Sequence, residues 1–199
     1  MGDLKHFDLN SFIQKYNIVD MIETGTYMGD AVAYALQFNL KNIYTIELIK
    51  EFYEHSTKRF ESNKNVRIFN NISKEGLIQI FNNYSVGNCL FWLDAHLPNF
   101  YQKQYGDDYK NDKNLLIPLE EEIKIIISNK DISNDVFIID DLRIYETGSF
   151  QKGNWNGVIV AGVGGIDFIY KLLGITHNIE KLYDDEGYIV CTPKINGNL

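Results

Sequence analysis

The stretch Val19-Asp20-Met21-Ile22-Glu23-Thr24-Gly25-Thr26-Tyr27-Met28-Gly29-Asp30 decides the fold. An apolar run closes on an acid, Glu23. A turn carrying Gly25 follows, and a helix begins near Asp30. A strand that feeds a helix through such a turn delivers a small-molecule site at its carboxyl end. Gly25 permits a positive φ or the close approach of another backbone. Gly29 lets helix and strand pack closely, and Asp30 suits the positive end of the helix dipole. Ala31, Val32, Ala35 and Leu36 carry the helix to about Phe38.

Outward from this turn, apolar runs alternate with helical patterns. Strands are expected at Asn42–Glu47, Val66–Phe69, Cys89–Asp94 and Val136–Asp141, with helices at about 49–62, 74–81, 118–127 and 166–173. Cys89 to Leu93 is uninterrupted and apolar, as suits a strand buried on both faces. Glu120 to Glu122 read as a solvated first turn favoured by the helix dipole. In the tail, Ile179–Tyr183, a turn at 184–187 and Tyr188–Thr192 form an antiparallel hairpin. The pattern is α/β, a Rossmann-like and mostly parallel sheet with one antiparallel strand. Upstream, Asp8 to Asn17 form a short helix capped by Asp8 or Asn10, with Phe12 and Ile13 inward, so that residues 1–17 cover the domain. Residues 97–114 and 142–165 are irregular and read as substrate-covering segments. One domain over 1–199 is the expectation.

A net charge of −8 with no basic cluster speaks against a nucleic-acid partner. There is no 18-residue apolar run for a membrane. The start, Met1 to His6, has no apolar signal region. Cys89 and Cys191 lie in apolar runs and read as buried thiols of a reducing compartment, so a cytoplasmic location is expected.

Acidic residues close several strands. Glu47 ends the second, where a carboxylate offers two acceptors to the vicinal ribose hydroxyls of a nucleoside. Asn71 and Ser73 stand where an adenine is read, although capping the next helix also explains Ser73. The fourth strand releases Asp94 and His96, and the fifth Asp140 and Asp141. With Glu at 23 and Tyr at 27 the first turn departs from GxGxxG, so a pyrophosphate is poorly cradled and NAD is disfavoured. A ligand with ribose and no phosphate, such as S-adenosylmethionine, fits better.

The ETGT turn followed by Gly29-Asp30 resembles motif I of class I S-adenosylmethionine-dependent methyltransferases, and the resemblance spans roughly residues 15 to 193. It implies a seven-stranded sheet with helices on both faces. It also implies cofactor contacts from Glu23, Thr24, Gly25, Thr26, Tyr27, Gly29, Asp30, Glu47, Asn71, Ser73 and Asp94. Tyr27 departs from the glycine of more typical members. The acid ending strand four and the pair ending strand five are similar to the magnesium site of macrocin-type (TylF-like) sugar O-methyltransferases. By that similarity Asp94, Asp140 and Asp141 would bind Mg²⁺ or Mn²⁺, hard ions suited to oxygen ligands. The ion would lower the pKa of an attacking hydroxyl. His96, Asp94 or Asp141 would take its proton. Asp140 is alternatively a structural acceptor turned into the core, and Asp94 alternatively meets the methionine end of the cofactor.

Arg143 is expected either to meet a substrate phosphate or to pair with a nearby acid. Tyr101, Tyr105 and Trp155 are placed to stack on a sugar ring. The expected partner is a small-molecule or glycan acceptor, with a homo-oligomer left open. Other readings are a methyltransferase on a catechol-like acceptor, a non-catalytic cofactor-binding protein, and a nucleotide-sugar glycosyltransferase. The last would use Asp94-Ala95-His96 as its metal motif with Mn²⁺.

Overall fold

A computed structural model describes residues 3–96, 116–155 and 165–194. Seven strands form one sheet: β1 (Asp20–Thr24), β2 (Asn42–Glu47), β3 (Val66–Asn70), β4 (Cys89–Leu93), β5 (Val136–Ile139), β6 (His177–Leu182) and β7 (Tyr188–Pro193). Their order is β3-β2-β1-β4-β5-β7-β6. β1 to β5 pair in parallel, and β7 runs antiparallel between β5 and β6. This is the mostly parallel sheet with one reversed strand read from the sequence. The order reverses between β1 and β4, and ligands of open α/β sheets bind outside the strand ends at such a point.

The α-helices among the described residues are α1 (Leu9–Tyr16), α2 (Asp30–Ala35), α3 (Lys50–Arg59), α4 (Ser73–Asn83), α5 (Leu119–Asn129) and α6 (Asp167–Leu173). Neighbouring strand residues face opposite sides, so the sheet serves two cores. Ile22, Ile46, Phe91 and Ile139 pack on α4, α5 and α6. Met21, Ile43, Trp92 and Ile138 face the side of α1 and α2. Asp8 caps α1 by accepting from Ser11 N–H at 3.3 Å, and Asn17 closes that helix in the left-handed region. Ser73 makes no cap on α4, contrary to expectation; the residue at the cap is Ile72, whose own N–H is taken by Asn71 Oδ1 at 3.0 Å. Both cysteines are free and buried. No helix among the described residues is long and apolar enough to cross a membrane.

Candidate active site

The turn after β1 runs close to the end of β4. Gly25 has φ +88°, and a Cβ there would meet the carbonyl oxygen of Asp94 at 2.5 Å. Gly29, at φ +82°, leaves no room beside Phe60. Tyr27 also lies in the left-handed region, at φ +47°. The loop thus keeps a glycine-like path at Tyr27, whose ring packs edge-on against Phe52 at 4.6 Å.

Glu47 ends β2 and accepts from the N–H groups of Tyr27 at 2.6 Å and Ile49 at 2.7 Å. Burial raises its carboxyl pKa, partly offset by these bonds. Two backbone bonds leave a carboxylate further lone pairs for ligand hydroxyls. Glu23 is more deeply enclosed. It accepts from Thr45, whose hydroxyl also bonds Thr26, and burial pushes its pKa well up. Glu23 and Thr26 therefore brace the floor beneath the turn. The carboxylate of Asp30 faces Arg59 at 2.8 Å and is exposed, so the structure turns it away from the turn's inner side.

At the ends of β4 and β5 the acids gather. His96 Nδ1 lies 3.2 Å from Asp94, and its Nε2 lies 2.6 Å from Asp141. Burial opposes a charge on this imidazole, but the bonds to Asp141 and Asp94 prevail and raise its pKa well above the ordinary value. With both ring nitrogens engaged, His96 has no lone pair to take a substrate proton as it stands. Burial and then Asp94 and Asp141 push the Asp140 carboxyl well up.

The expected carboxylate triad is assembled differently. Among the described residues, the three acids whose ligand oxygens lie within 4.8 Å of one another are Asp140, Asp141 and Glu186, while Asp94 is linked to Asp141 through His96. Glu186 comes from the β6–β7 turn, a contribution the sequence reading missed. Arg143 Nε reaches Asp141 at 3.0 Å and Nη2 reaches Glu186 at 2.5 Å. Its guanidinium also lies over the Trp155 ring, 5.4 Å from the centroid. Arg143 thus pairs with the acids, as one of its two expectations held, and is not aimed at a substrate phosphate. Three hard oxygen donors suit a small divalent cation, with Arg143 competing for two of them. Tyr101 and Tyr105, with the whole of the expected 97–114 cover, lie outside the described residues.

One acid was misread. Glu122 is 1% exposed, on the inner stripe of α5 with Leu119, Ile123 and Ile126. Burial pushes its pKa up to about 7, although the nearby hydroxyls of Ser73 and Thr24 pull the other way. It lines a small pocket with Asp94, His96, Asp140 and Tyr145.

No family model matches the chain, and no curated protein matches it. Solved structures do. An O-methyltransferase from Bacillus cereus, in complex with SAH, superposes with a TM-score of 0.62 at 16% identity, over 94% of this chain and 79% of its own. The fold is that of these methyltransferases. A Staphylococcus aureus protein provisionally assigned as a caffeoyl-CoA O-methyltransferase gives a TM-score of 0.66 at 16% identity, over 98% of this chain and 85% of its own. The same methyltransferase fold also carries a spermidine synthase from Thermotoga maritima, with a TM-score of 0.53 at 11% identity over 90% of this chain and 55% of that one. Fold alone therefore does not choose the group transferred.

Proposed function

We propose that the chain is an S-adenosylmethionine-dependent O-methyltransferase acting on a hydroxyl of a sugar or glycan. The observation that carries this reading is the pairing of Glu47 with the Gly25 turn. An acid at the end of β2 bonds the backbone of the turn leaving β1, at the reversal of strand order where a nucleoside is bound. The acids beyond β4 and β5 then stand where an acceptor would meet the methyl group.

Bound S-adenosylmethionine supplies an electrophilic methyl group on sulfur. Glu47 takes the ribose hydroxyls, and Gly25 leaves the space for the close approach. Asp94 lines the cavity and bonds His96, so it is the group we assign to take the proton from the attacking hydroxyl. His96 is a positioning residue that fixes Asp94 relative to Asp141. A divalent cation would be held by Asp140, Asp141 and Glu186, where it would act as a Lewis acid.

A catechol-type acceptor is the second reading, favoured by the assignment of the S. aureus neighbour. Glycosyl transfer is weakened by the mutual bond of Asp94 and His96, which ties up the motif it needs. Calorimetry with S-adenosylmethionine, S-adenosylhomocysteine and UDP-sugars with Mn²⁺ separates these classes. Micromolar binding of the first two is expected, and binding of UDP-sugars alone would replace methyl transfer by glycosyl transfer.

A further inference from the structure

Glu122 has no evident structural reason to be an acid. Its stripe on α5 is otherwise filled by Leu119, Ile123 and Ile126. A carboxyl buried to this degree for stability alone is held by a cation or by a full set of hydrogen bonds. Here the hydroxyls of Ser73 and Thr24 lie near the carboxyl, but neither Glu122 Oε1 nor Thr24 Oγ1 meets a partner in hydrogen-bonding geometry among the described residues. Glu122 lines the cavity shared with Asp94 and Asp140. The cation nearest those acids, His96, is already held by two carboxylates.

We infer that Glu122 is an acceptor-binding residue, whose unpartnered oxygen receives a hydroxyl adjacent to the one being methylated. This rests on the methyltransferase reading above and narrows it. The carboxyl groups of Asp94, Glu122 and Asp140 line the cavity, so it favours uncharged hydrogen-bond donors and repels phosphate or carboxylate groups. The acceptor at this point is therefore a neutral vicinal diol, such as a sugar ring edge. An acceptor with one hydroxyl leaves Glu122 unsatisfied and is discriminated against, because an unpaired buried polar group is costly.

The test uses the full chain saturated with S-adenosylhomocysteine and two probes followed by saturation-transfer NMR. Methyl α-D-mannopyranoside offers vicinal hydroxyls and cyclohexanol offers one. The mannoside should bind the unaltered protein, about tenfold more weakly to Glu122→Gln, and more weakly still to Glu122→Leu. Cyclohexanol binding should stay within about twofold across all three, as should S-adenosylhomocysteine affinity by calorimetry. Glu122→Gln is nearly isosteric, and Glu122→Leu replaces a lone buried acid by an apolar group, so both should remain folded. Equal mannoside binding by all three proteins, or none by the unaltered protein, overturns the assignment of Glu122. Failure of S-adenosylhomocysteine to bind the unaltered protein overturns the methyltransferase reading itself.

Discussion

Nε2 of His96 lies 2.6 Å from Oδ2 of Asp141, deep beneath the carboxyl ends of β4 and β5. The pair links two pKa shifts of opposite sign. Burial works against the charge on both, but the mutual bond prevails, raising His96 well above 6.5 and lowering Asp141 below 3.8. A raised imidazole pKa gives stability that is complete below the unfolded value and is lost as pH rises through the folded one. A lowered carboxyl pKa gives stability present above the unfolded value and lost as pH falls through the folded one. The advantage of the unaltered protein over His96→Gln should thus be greatest at mildly acidic pH, about 3 kcal/mol. It should shrink toward alkaline pH. Urea unfolding at a series of pH values measures it. NMR titration should find the His96 ring still protonated above pH 6.5, and a ring that titrates at or below that value contradicts the pairing.

Gly25 and Gly153 separate contact from conformation. Both have positive φ, +88° and +78°. A Cβ at Gly25 strikes the Asp94 carbonyl at 2.5 Å, whereas one at Gly153 meets nothing within 4 Å. Gly153→Ala should cost only the left-handed penalty, about 1 kcal/mol. Gly25→Ala should cost at least twice that and should also displace the end of β4, so that S-adenosylhomocysteine affinity falls with stability. Thermal melts with calorimetry read both. Equal effects of the two substitutions would show that β1 and β4 do not constrain this turn.

The Gly25 turn was legible because its cause is local: strand, glycine and helix follow one another in the chain. The single reversed strand was legible for the same reason, since Asp184 to Gly187 announce a hairpin. Glu122 carried a signal that was passed over. Its spacing from Leu119 and Ile126 places it on the apolar stripe of α5, but the run Glu120-Glu121-Glu122 reads as one solvated group. Helical period, rather than charge, decided its burial. Glu186 and the bonding of Arg143 depend on a hairpin folding back onto the end of β5, and spacing in the chain does not reveal which acid an arginine will meet.

Glu47 should be needed more for the ligand than for the fold. Burial raises its pKa, so its charged form is slightly costly in the folded state. That cost is absent at low pH and appears as pH rises through the raised value. Glu47→Gln keeps an acceptor for one of the two N–H groups but loses the carboxylate. Its melting temperature at neutral pH should change little, while S-adenosylhomocysteine affinity should drop about tenfold or more. An unchanged affinity would remove Glu47 from the ribose site.

Arg143 sets the terms on which a divalent ion can enter. It bonds Asp141 at 3.0 Å and Glu186 at 2.5 Å, two of the three acids within 4.8 Å of one another. A metal must compete with a cation already in place, because both need the same oxygens. Arg143→Gln removes that competitor and leaves buried acids less compensated, so the metal-free variant should be destabilised by about 2 kcal/mol. The same change should tighten Mg²⁺ binding about tenfold, so added Mg²⁺ should restore more stability to the variant than to the unaltered protein. Glu186→Gln should do the reverse, weakening Mg²⁺ binding by removing a charged ligand. Calorimetric Mg²⁺ titrations and melts with and without EDTA distinguish the cases. If neither substitution shifts Mg²⁺ affinity, the cluster is a salt-bridge network, and the acceptor hydroxyl must be activated by the protein's own groups.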